Sequence, residues 1–138
     1  MNKILVILII CWQTALAQKI PNVIGKYSTL TKMKSVEIEL KKDSVFVYKT
    51  FDCTAHFLSI GKWSIQKNQL ILNSFDENKI KKDSLFNNEW IRVEIINNMT
   101  LVVKKCKLKV YENSKTPIVL YNVNSRKAKK WMKKDKRV

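Results

Sequence analysis

The chain is 138 residues long, 46% hydrophobic and 28% charged, and its 27 Lys and Arg outweigh 11 Asp and Glu for a net charge of +16. That length accommodates one domain with a sizeable core, and two glycines and two prolines leave no low-complexity linker to a second. A single histidine, His56, removes most metal and acid–base constellations at once.

Met1 to Ala17 reads as an export signal: Lys3 in a short n-region, an apolar run from Ile4 to Trp12, and Ala15-Leu16-Ala17 as a cleavage site before Gln18. The run is too short for a membrane anchor, and no later segment approaches the roughly 18 to 20 apolar residues that spanning needs. Cys11 does not make it a lipoprotein signal, because Ile10 stands where a small residue is needed before a lipidated cysteine. The expected mature chain runs from Gln18, keeps +15 after losing Lys3, and works in the periplasm, at the outer envelope or outside the cell. A β-barrel domain is expected over 18–125 and a basic tail or short helix over 126–138.

Val36, Ile38 and Leu40 alternate with Glu37, Glu39 and Lys41, the period of a strand with one buried and one wet face. The hairpin that follows has two open registers: a two-residue loop sets Leu40 against Val45, a three-residue loop sets it against Phe46. Both faces of 44–51 are largely apolar, so the pattern does not choose. In the next hairpin, a two-residue turn at Lys67-Asn68 places Ile65 opposite Leu70 and Trp63 opposite Leu72, all on one face.

The segment 75–89 is a polar connection, long enough for a crossing loop or a short helical turn. Its KKDSLF at 81–86 repeats KKDSVF at 41–46; two similar Asp-Ser turns explain this better than an internal duplication, because the flanking residues do not keep step. Ile91, Val93 and Ile95 then alternate with Arg92 and Glu94, and an odd loop over 96–98 sets them against Val103, Leu101 and Met99. Leu108 and Val110 alternate with lysines, and after Thr116-Pro117 a last strand is expected over 118–123. Seven or eight strands with short connections indicate an all-β fold, an antiparallel up-and-down meander closing into a small barrel that hides its edges.

Gly25-Lys26-Tyr27, then Leu40, Asp43 and Phe46 as an L-x-x-D-x-x-F turn, then Gly61-Lys62-Trp63 before QLILNS, form a pattern covering about half of the mature chain. It resembles small exported bacterial proteins with lipocalin-like β-barrel domains. The resemblance implies an up-and-down barrel with room for an apolar ligand, and it carries over no active site.

No catalytic motif or cofactor signature is present, so no enzyme and no cofactor are expected. Cys53-x-x-His56, with Cys106 as a third ligand, is too incomplete for a metal site; the two mature-chain cysteines, Cys53 and Cys106, are instead a candidate disulfide in an oxidising compartment. Tyr27, Phe46, Tyr48, Phe57 and Trp63 either line a ligand pocket or fill the barrel, and an interior bounded by eight or fewer strands is one that side chains alone can fill.

The segment 126–138 carries eight Lys or Arg against Asp135, a net +7. Ala128, Trp131 and Met132 fall at i, i+3 and i+4, so a helix there has a small apolar stripe among cations. Arg126, Lys127, Lys129, Lys130, Trp131, Lys133 and Lys134 are therefore candidate contacts to an anionic lipid or glycan surface. Export argues against nucleic acid as the partner, and a monomer is expected. Two functions follow: a binding module holding a small apolar ligand in its barrel, or a cationic envelope-associated protein attached through its basic end.

Overall fold

The alternating segments become strands, and their order closes a barrel. The computed structural model describes residues 22–29, 35–51, 54–86, 91–110 and 117–135; the expected signal at 1–17 lies outside them. In chain order come β1 (Gly25–Ser28), β2 (Ser35–Leu40), β3 (Val45–Phe51), β4 (His56–Gln66), β5 (Gln69–Ser74), α1 (Glu77–Lys81), β6 (Ile91–Val93), β7 (Met99–Lys104), β8 (Lys107–Val110), β9 (Ile118–Asn122) and α2 (Arg126–Asp135). Omitting β6, each strand pairs antiparallel with the next, and β9 returns to β1. The fold is thus the expected all-β meander, a closed eight-stranded barrel with one added strand. Closure satisfies the N–H and C=O groups that an open sheet edge would expose.

Inward positions fill the barrel. Tyr27, Ile38, Leu40, Phe46, Leu70, Leu72, Leu101, Leu108 and Leu120 are at most 2% exposed and form one cluster with Val36, Tyr48, Ile96, Val103 and Val110. Fully burying each such aliphatic or aromatic side chain contributes about 1.5–3 kcal/mol, which makes this cluster the main driving force for closure.

A second apolar cluster lies on the outer face, where Val47, Leu58, Ile60 and Ile80 pack with Phe75, Phe86, Ile91 and Val93. This explains why β3 is apolar on both sides. α1 covers that face: Asp76 caps it by accepting from the Lys79 N–H at 3.0 Å, Glu77 and Lys79/Lys81 suit the two ends of its dipole, and Ile80 is its buried residue.

The first hairpin takes the longer register, Leu40 opposite Phe46, closed by the Lys41 N–H donating to the Val45 carbonyl at 2.9 Å. Ser44 supplies the positive φ (61°) that a three-residue loop needs. The second hairpin pairs Ile65 with Leu70 and Trp63 with Leu72, as expected, around Lys67 (φ 46°) and Asn68 (φ 65°). Both KKDS segments make the same local turn: Asp43 Oδ1 accepts from the Val45 N–H (3.2 Å) and Asp83 Oδ1 from the Leu85 N–H (2.9 Å). One closes a hairpin and the other follows a helix, so the repeat is local turn chemistry.

The expected third hairpin does not form. β6 pairs parallel with β4, His56 opposite Ile91 and Leu58 opposite Val93, while β7 pairs with β5, Leu70 opposite Leu101 and Leu72 opposite Met99. The cause is the length of β4, whose first residues run past the end of β5 and leave an edge and the apolar Leu58 uncovered. β6 fills that edge. Ile96 then enters the core, its N–H bonded to Ser74 Oγ (3.0 Å) and its carbonyl to the Ser74 N–H (2.8 Å), while Ile95 is left exposed.

Of the two candidate disulfide cysteines, the described residues include one. Cys106 lies in the β7–β8 turn as an exposed free thiol. Cys53, and with it the expected Cys53–Cys106 bridge, lies outside the described residues.

Candidate functional site

Strand direction decides which connections share an end of the barrel. β2, β4, β7 and β9 run one way and β1, β3, β5 and β8 the other, so the turns at 41–44, 67–68 and 105–106 gather at one end with the connection into α2. That end is basic. Lys41, Lys42, Lys62, Lys67, Lys104 and Lys105 are exposed there, joined by Arg126, Lys127, Lys129, Lys130 and Lys133 of α2. Two of its acids are engaged: Asp43 Oδ1 caps the Val45 N–H, and Glu39 pairs with Lys26 at 3.5 Å.

Local chemistry holds the turns in place. The Trp63 N–H donates to the Ser44 carbonyl (2.9 Å), the indole N–H to the Lys41 carbonyl (3.2 Å), and Lys62 Nζ to the Asp43 carbonyl (3.1 Å). The first turn is therefore fastened across β4, which fixes where Lys41 and Lys42 stand. Val103 N–H similarly donates to the Asn68 carbonyl (3.0 Å), tying the second turn to β7.

Ser125 stands just before α2, and its Oγ accepts from the Ala128 N–H at 3.3 Å. Ala128 is buried, and on the other side of the helix Arg126, Lys129, Lys130 and Lys133 fall at i, i+3, i+4 and i+7, bordering an open depression with Asn124. Lys127 turns toward β9: its Nζ donates to the Tyr121 hydroxyl at 3.1 Å and lies 4.7 Å from the ring centroid. Trp131 and Lys134 belong to α2, but their side chains are outside the described residues.

Four of the five candidate ligand-binding aromatics gather in or against the barrel interior, and the fifth stands apart. Tyr27, Phe46 and Tyr48 belong to the interior cluster, and Trp63 packs against it from the basic end. Tyr27 donates to the Val23 carbonyl at 2.9 Å, and burial raises its pKa, although the Asn122 side chain lowers it in part. Phe57 is half-buried near the opposite end and stands outside both apolar clusters.

His56 is exposed at the start of β4, edge-on to the Phe51 ring at 5.0 Å. Among the described residues, no group of three His, Cys, Asp or Glu side chains is placed to hold a metal ion, and no helix is long and apolar enough to cross a membrane.

Sequence reasoning placed the basic residues of α2 but missed the turn lysines that join them. The parity of the strands supplies that signal, and the misassigned third hairpin obscured it. Comparison with known proteins finds no matching family model, no matching curated protein and no matching solved structure.

Proposed function

We propose that the protein is an exported, non-enzymatic barrel that attaches to anionic membrane surfaces through its basic end. The observation that supports this reading most is the convergence of three lysine-bearing turns and α2 at one end of the barrel. Each Lys or Arg near an anionic bilayer contributes about 1 kcal/mol, so several on one end bind as a unit although each alone is weak. The packed interior favours this reading over enclosure of an apolar ligand, because ligand-holding barrels leave their interior partly empty.

The test is co-sedimentation of the mature protein with phosphatidylglycerol-containing vesicles, and with neutral vesicles as the reference. Binding should require the anionic lipid, weaken steeply with salt because exposed charges are screened beyond about 8 Å at physiological ionic strength, and fall when Lys129, Lys130 and Lys133 are changed to Gln. Absence of binding to anionic vesicles in low salt rejects the proposal. Retention on an acidic polysaccharide without vesicle binding transfers the role to glycan.

A further inference from the structure

Beside the basic end, on the outer wall of the barrel, two lysines from different elements meet at one phenol. Lys107 of β8 is directly opposite Tyr121 of β9, and its Nζ lies 5.2 Å from the centre of the ring. Lys127, from the first turn of α2, donates to the Tyr121 hydroxyl at 3.1 Å. Along the same outer row, Ser28 separates Tyr121 from Glu37, which puts that carboxylate two strands away. Two cations are thus held at one phenol with no carboxylate on either strand next to it.

We infer that Lys107, Lys127 and Tyr121 form a subsite for a terminal phosphate, the phosphomonoester class. The inference rests on the attachment proposed above and specifies which headgroup that attachment prefers. A terminal phosphate offers three oxygens, and this site offers three donors from three elements. Because Lys127 donates to the phenol oxygen, the phenol O–H is free to donate outward. Lys127, with Lys107 and Lys109 behind it, also holds the Tyr121 phenol below its ordinary pKa, and a more acidic hydroxyl is a stronger donor to an anion. A phosphodiester carries a single charge on two non-bridging oxygens, so it engages two cations and a phenol less strongly than a monoester with up to two charges on three.

The experiment compares binding of the mature protein to phosphatidic acid vesicles and to phosphatidylglycerol vesicles matched in measured surface potential. The site predicts tighter binding to phosphatidic acid by about tenfold, the range of one or two charge-assisted hydrogen bonds. Tyr121→Phe keeps the ring and removes the donor, and Lys107→Met removes one cation; both should erase the preference while leaving phosphatidylglycerol binding, and Lys107→Arg should restore it. Inorganic phosphate that shifts the Tyr121 resonances and competes with phosphatidic acid would extend the site to free phosphate; a preference that inorganic phosphate does not touch assigns it to the lipid headgroup. Equal binding to the two vesicles, or a preference that survives both variants, overturns the inference. Loss of all vesicle binding in the unmutated protein instead removes the attachment on which it rests.

Discussion

Gly61 and Ser74 face each other across β4 and β5 at a separation that admits no side chain: a Cβ on Gly61 would stand 2.4 Å from the Ser74 Cα and 2.0 Å from the Asn73 carbonyl oxygen. This is the point where β5 ends and β4 continues to its pairing with β6. The neighbours are backbone, so they cannot give way as a flexible side chain would. Gly61→Ala should therefore destabilise the fold by about 2–3 kcal/mol, the scale of overpacking a tight site. Thermal denaturation reads this as a clear fall in Tm; an unchanged Tm contradicts the close approach.

Phe46 and Phe57 were equal candidates for a ligand pocket, and the structure separates them. Phe46 is 0% exposed within the interior cluster, whereas Phe57 is half-buried outside it. Phe46→Ala should cost about 3–5 kcal/mol in urea denaturation and Phe57→Ala about 1 kcal/mol. Similar, small costs for both would mean that the interior is not packed and would revive the apolar-ligand reading.

Ser59 Oγ is fully buried and has no hydrogen-bond partner among the described residues. Removing an unpaired buried hydroxyl relieves its desolvation, so Ser59→Ala should raise stability by about 1 kcal/mol. A loss of stability on denaturant titration would show that the hydroxyl is satisfied in solution.

Two tyrosines should separate on alkaline titration. Tyr121, beside Lys127, ionises below the ordinary phenol value of 10.0, and Tyr27, desolvated in the interior, ionises above it. Tyr121→Phe should delete the early part of the phenolate absorbance curve. The sign for stability follows from Tyr27: its folded pKa exceeds the unfolded one, so its contribution is intact below pH 10 and is lost as pH rises through the raised value. Early-component absorbance that persists in Tyr121→Phe contradicts the Lys127 contact.

The sequence carried the strands in which period two meets a single covered face. Val36 to Leu40 and the Trp63–Leu72 hairpin are of that kind, and Asn68 tolerates the turn that sets their register. It left the first hairpin open because β3 is covered on both faces, from inside by the core and from outside by Ile80 of α1 and its neighbours. It misled over Ile91 to Val93, where alternation identifies a strand but says nothing about which edge receives it. The parallel partner is set by the length of β4, a tertiary fact. The basic end was legible only in α2; Lys42, Lys67 and Lys105 joined it once the strand directions were known.

Those turn lysines bear most directly on the central claim, because they lie far from α2 in sequence and share with it only the end of the barrel. Changing Lys42, Lys67 and Lys105 to Glu together, with 126–138 intact, leaves the interior untouched, since all three are exposed. At about 1 kcal/mol per basic residue near the bilayer, affinity for phosphatidylglycerol vesicles should fall by about a hundredfold or more. Affinity equal to that of the unmutated protein would contradict a binding surface spread over this end of the barrel.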